Sequence, residues 1–246
     1  MEKKIHYIWL GGAPKPNIMD ICINSWREKF LDYEIIEWNE KNLNFYEEIE
    51  RNRFLKECYE RKLWAFLSDY FRIKVLYEHG GIYLDSDMQI IKKLDSFLND
   101  DLFFGLEDEN QISAGIIGAK KKNPFILEIL KFYEKDIWEK NFYTIPSIIQ
   151  YLFKVKKPKK IKLYKSEYFY PYHYTEEFKY TDIKKETHGI HWWGKSWHEN
   201  KKKLYFLEFK HIKGWKKIVI NILILSKTLE PIRKFYEKFI KKKVRK

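Results

Sequence analysis

The stretch Trp64-Ala65-Phe66-Leu67-Ser68-Asp69-Tyr70-Phe71-Arg72, continuing through Leu76-Tyr77 to Gly80-Gly81-Ile82-Tyr83-Leu84-Asp85-Ser86-Asp87, sets out a helix, a stop and a strand. Leu63, Phe66, Tyr70, Ile73 and Tyr77 recur at helical spacing, which predicts a helix over 63–79 with an apolar stripe. Gly80-Gly81 is the expected C-terminal stop, and Ile82-Tyr83-Leu84 is a short strand delivering Asp85 and Asp87 at its end. If the strand continues, both aspartates point to one face. Two neighbouring carboxylates repel, and a hard divalent cation relieves that repulsion while keeping positions open for phosphate oxygens. Asp69 and Arg72 lie three apart and share a helix face bordering the stripe. They suit either an ion pair closing the helix onto a sheet or a pair that holds a ligand.

Outward from this stretch, Ile5–Leu10, Tyr33–Trp38, Leu102–Leu106 and Gly115–Ala119 have the pattern of strands. Residues 17–30, 43–59, 124–137 and 145–153 have the pattern of helices. This alternation predicts an α/β fold with a largely parallel sheet. The chain has 246 residues, 45% of them hydrophobic, enough for one sizeable core. Cys22 and Cys58 match no metal spacing and are too few for a disulfide framework. No run approaches the roughly 20 apolar residues that span a bilayer. The expected location is therefore cytoplasmic. Residues 1–110 carry 15 Lys and Arg against 22 Asp and Glu, and residues 111–246 carry 33 against 13. An acidic catalytic half and a basic half facing something anionic are implied.

The 64–87 motif resembles the centre of glycosyltransferase family 32, whose core is similar to the glucosylating clostridial toxins. Ile5-His6-Tyr7-Ile8-Trp9-Leu10-Gly11-Gly12 resembles that family's first strand, and Ser25-Trp26, Tyr33-Glu34, Trp38 and Asn39 extend the likeness. The resemblance implies a GT-A (Rossmann-like) nucleotide-sugar-binding fold over 1–209 and a metal-dependent hexosyltransferase with retention of configuration. The cofactor implied is Mn²⁺ or Mg²⁺. A nucleoside-diphosphate sugar, with uridine diphosphate first, is the expected donor. A glycan or lipid-linked saccharide in capsular or lipopolysaccharide synthesis is the expected acceptor. Carried over by position, Ile8 and Trp9 would frame the base, Tyr83 would pack near base and ribose, and Asp69 and Arg72 would hold the donor sugar. Asp85 would contact ribose or sugar hydroxyls, and Asp87 would be the main metal ligand, with Asp85 beside it.

A second motif, Thr187-His188-Gly189-Ile190-His191-Trp192-Trp193-Gly194-Lys195-Ser196-Trp197, resembles the C-terminal loop of families 8 and 32. His191 would add a metal ligand, although His188 offers the same group three residues earlier. Gly194 would permit close backbone approach, Lys195 would counter phosphate charge, and Ser196 and Trp197 would complete a lid. Ser113-Ala114 stands where the resemblance would place an asparagine near the donor sugar, and front-face displacement, not a covalent intermediate, is the mechanism the resemblance implies. Two other readings compete. A haloacid-dehalogenase-type phosphatase also places Asp-x-Asp after a strand but wants Thr or Val where Gln89 stands. A basic nucleic-acid-binding module would use the aromatics but leaves the acidic half unexplained, so nucleic acid is not the expected partner. Residues 210–246 form a basic amphipathic tail, expected to attach peripherally to an anionic membrane surface.

Overall fold

The computed structural model describes residues 1–194 and 201–225. Strand β1 (Lys4–Ile8) leads through helix α1 (Asn17–Lys29) to β2 (Glu34–Trp38). Helices α2 (Phe45–Arg51), α3 (Arg53–Glu60) and α4 (Trp64–His79) precede β3 (Gly81–Leu84) and β4 (Met88–Ile90). Then come β5 (Leu102–Leu106), β6 (Ile112–Ala119), α5 (Pro124–Glu134) and α6 (Ile145–Lys156). The chain continues through β7 (Lys162–Tyr164), α7 (Ser166–Phe169), β8 (Gly189–His191), α8 (Lys201–Glu208) and α9 (Trp215–Leu225).

The fold is mixed α/β with a six-stranded sheet in the order β2-β1-β3-β6-β5-β7, and β4 pairs separately with β8. The β1–β2, β1–β3 and β5–β7 pairs are parallel, but β6 runs antiparallel to both β3 and β5. The sheet is thus largely parallel, as expected, with β6 as its one reversed strand. Only five residues separate β5 from β6, and a parallel crossover needs a dozen or more.

Both sheet faces are covered, which is why the inner strands β3, β5 and β6 are almost continuous apolar runs. Ile5, Tyr7, Ile82, Leu84, Phe103 and Ile116 pack with Met19, Cys22 and Trp26 of α1. On the other face the Arg72 guanidinium lies 4.7 Å from the Tyr83 ring centroid, and Phe104 meets Phe125 of α5 edge-on. Helix α4 is buried almost all round, not only along a stripe: Leu67, Asp69, Phe71, Arg72 and Val75 are as enclosed as Phe66 and Tyr70. The helix predicted over 43–59 divides at Asn52, which ends α2 and caps α3 by accepting from the Phe54 amide at 2.9 Å.

Contacts separate a first compact unit, Met1–Ile137 with Tyr143–His198, from a second, Trp138–Phe142 with Glu199–Lys246. In the second, the Lys210 ammonium donates to the carbonyls of Lys140 and Phe142, and burial pushes its pKa down to about 8. No helix among the described residues is long and apolar enough to cross a membrane.

The turn between α4 and β3 positions everything that follows. Gly80 (φ 65°) closes α4 by donating to the Leu76 carbonyl, and Gly81 (φ 98°) enters β3. A Cβ on Gly81 would meet the Lys4 carbonyl oxygen at 2.7 Å. Gly81→Ala should therefore cost about 2 kcal/mol, lowering the melting midpoint by roughly 4–8 °C in a chain of this size. Calorimetry on the variant checks this, and an unchanged midpoint would refute it.

Candidate metal and donor site

Leu84 ends β3, and Asp85-Ser86-Asp87 form a turn rather than a continuing strand, closed by the Met88 amide donating to the Asp85 carbonyl at 2.9 Å. The two carboxylates converge because the chain on both sides of the turn is held. Before it, the Asp85 amide donates to the Gly115 carbonyl at 2.8 Å, extending the β3–β6 ladder. After it, β4 is clamped by the Ser25-Trp26 pair of α1. Trp26 Nε1 donates to the Met88 carbonyl at 2.6 Å, and Ser25 Oγ accepts from the Ile90 amide at 3.0 Å.

The β4–β8 register sets Met88 opposite His191. His191 Nε2 consequently sits 3.0 Å from Asp87 Oδ1 and 3.8 Å from Asp85 Oδ2. One donor atom from each of the three residues lies within 4.8 Å of the others. His188 stands elsewhere: its Nδ1 contacts the Glu186 carbonyl, and its ring stacks on Tyr168. Burial alone would push the His191 imidazole pKa down, but Asp87 and then Asp85 outweigh it, so the pKa rises above its ordinary 6.5. For Asp87 burial pushes upward, and His191 with the Gly194 amide (2.6 Å from Oδ2) turns the shift downward.

Beneath this cluster lies Arg72, 4% exposed and shared between two carboxylates. Nη1 is 2.9 Å from Asp85 Oδ1 and donates to the Ala114 carbonyl at 2.9 Å, and Nη2 is 2.9 Å from Asp69 Oδ1. The Tyr83 hydroxyl donates to Asp85 Oδ1 at 2.9 Å, so this ring is buried under Asp85 and braces it. Asp69 is fully buried, with the Arg72 guanidinium as its charge partner. Burial raises its pKa to about 7, although Arg72 opposes the shift.

The parallel register Ile5↔Ile82 and His6↔Tyr83 carries Ile8 and Trp9 to the sheet end that bears Asp85. Ile8 is buried, and Trp9 is half-buried with Nε1 donating to the Ala13 carbonyl. Gly194 approaches Asp87 so closely that a Cβ would meet Oδ2 at 2.9 Å. Lys195, Ser196 and Trp197 lie outside the described residues. Sequence reasoning missed Gly115 and Tyr170. A Cβ on Gly115 would stand 3.2 Å from Asp85 Oδ2 and 2.9 Å from the Tyr170 hydroxyl, and the Tyr170 ring meets His191 edge-on. Trp193 completes the wall 4.4 Å from His191, between ring centroids, with φ at 54°. A separate cleft of about 280 Å³ beside Trp38 and His79 shares none of these residues, and its Lys74 is paired with Glu48 and Glu78.

Two carboxylates and one imidazole form a mixed oxygen and nitrogen donor set that fits a divalent cation of the Mg²⁺ or Mn²⁺ class. Because the ring must be neutral to ligate, and its pKa is raised, Mn²⁺ affinity should fall as pH drops and the ring takes up its proton. His191→Ala should flatten that dependence while His188→Ala preserves it. Electron paramagnetic resonance of free Mn²⁺ measures both. A second expectation concerns Asp69, whose raised pKa favours its protonated form in the folded state. Its contribution to stability is full below about pH 4 and is lost as pH rises to about 7. The melting midpoint of metal-free Asp69→Asn should gain on wild type across that window and level off above it.

Residues 16–104 match the family described as "Glycosyltransferase sugar-binding region containing DXD motif". An uncharacterized glycosyltransferase, L373, of Acanthamoeba polyphaga mimivirus is 30% identical over 139 residues, 52% of this chain and 53% of that protein. Inositol phosphoceramide mannosyltransferase 3 of Schizosaccharomyces pombe is 27% identical over 100 residues, covering 41% of this chain and 28% of that one. The chain thus spans about half or less of the curated relatives it matches. Among solved structures, PaToxG glycosyltransferase superposes with a TM-score of 0.49 at 18% identity, over 63% of this chain and 68% of that one. The family match contains Asp69, Arg72, Asp85 and Asp87, and with the relatives it supports a glycosyltransferase-like function.

Proposed function

We propose that the protein transfers a hexose from a nucleoside-diphosphate sugar, with uridine diphosphate the first candidate, to a saccharide acceptor of surface polysaccharide synthesis. The observation that carries this reading is the Asp85–Asp87–His191 cluster standing over the buried Asp69–Arg72 pair. Asp85, Asp87 and His191 would hold the divalent cation, which supplies Lewis-acid stabilisation of a departing diphosphate. Tyr83 and Arg72 keep Asp85 aimed while it serves that cluster. Asp69, ion-paired with Arg72 at 2.9 Å, is assigned with it to the hydroxyl groups of the donor sugar. Ile8 and Trp9 are assigned to the base, and Gly194, Lys195, Ser196 and Trp197 to the diphosphate. A GT-A arrangement and retention of configuration accord with the family resemblance. In such a reaction the acceptor oxygen forms its bond to the anomeric carbon on the face from which the diphosphate leaves, and the acceptor proton passes to the diphosphate.

Thermal shift with a panel of uridine- and guanosine-diphosphate hexoses, with and without Mn²⁺, tests the proposal. At 100 times its dissociation constant the true donor should add about 2.7 kcal/mol, roughly 5–10 °C at this chain length. Asp87→Ala should abolish the shift and the sugar transfer while folding normally. Undiminished transfer by that variant, or phosphate-ester hydrolysis without any nucleotide sugar, would overturn the proposal.

A further inference from the structure

The second compact unit ends, within the described residues, in α9, and this helix shows the solvent what most helices bury. Trp215, Ile218, Val219 and Ile222 stand 43–70% exposed. Their spacing of three, four and seven puts them on one face. Lys213 and Lys216 are exposed around the start of the same helix. The sequence of this unit, 138–142 with 199–246, holds 17 Lys and Arg against 5 Asp and Glu, a balance of +12 within a whole-chain charge of +13. The first unit is therefore nearly neutral, and the exposed apolar stripe and the positive charge coincide in the second.

We infer that this face of α9 docks on an anionic lipid surface, lying in the interface and not crossing it. Each observation removes another occupant. A phosphate backbone offers nothing to four bulky apolar side chains. A second copy would bring a second unit of the same net positive charge. An anionic leaflet satisfies both features, since lysines gain from its negative potential while the stripe enters the boundary between headgroups and acyl chains. Trp215 stands first on the helix, and an indole prefers that boundary depth. The eleven residues of α9 are too few to span hydrocarbon.

The test is co-sedimentation of the full chain with phosphatidylcholine vesicles that contain about one-third phosphatidylglycerol. Wild type should sediment with them, less so at high salt, and should bind pure phosphatidylcholine weakly. Ile218→Asp with Ile222→Asp should lower partitioning by at least about tenfold, with unchanged circular dichroism. Lack of wild-type binding, equal binding by the double variant, or equal binding to pure phosphatidylcholine would each overturn the inference. So would light scattering showing a wild-type dimer that the double variant converts to monomer, which would assign the stripe to a second copy. None of these readouts depends on sugar transfer.

Discussion

A guanidinium taken out of water must find its charge partners inside the protein, and at Arg72 that requirement organises the first unit. An unpaired buried charge costs several kcal/mol, so Arg72 holds Asp69 on its own helix, Asp85 beyond β3 and the Ala114 carbonyl of β6 at once. Three elements are thereby tied at one point. Burial nevertheless leaves Asp69 with a raised pKa, which Arg72 only partly offsets.

Much of this was legible along the chain because it is local. The helix of 64–79, its glycine stop and the aspartates beyond it lie within 24 residues, so spacing and turn chemistry sufficed. The reversal of β6 is not carried by its apolar run; it follows from the short connection between β5 and β6, which leaves no room for a parallel crossover. Residues 43–59 carry one continuous charged pattern, and only the capping carboxamide of Asn52 breaks it. The turn at 85–87 differs from the expected strand, yet the carboxylates still meet, because the Ser25-Trp26 clamp on β4 does what strand continuity was expected to do.

The remainder could not be found by spacing. Tyr170 and Gly115 border Asp85 and His191 through tertiary approach from β6 and the residue after α7, and no local pattern announces them. Strand register sets His191, and not His188, beside Asp87. In the two-stranded β4–β8 ribbon, neighbouring side chains alternate between faces, and the pairing of Met88 with His191 brings the imidazole alongside Asp87. A slip by one residue would send the ring to the opposite face.

That ribbon also has a consequence in time. Asp87 and His191 are 104 positions apart, whereas Asp69, Arg72 and Asp85 are near neighbours in the chain. Contacts closing so long a loop form late, since closure entropy grows with loop length before pairing compensates it. During synthesis the ribosome releases β1 to β6 and the Arg72 junction well before residue 191 emerges. The nascent sheet can therefore assemble around its buried guanidinium while the three-donor cluster is still incomplete. The donor atoms of Asp85, Asp87 and His191 come together only through the pairing of β8 with β4.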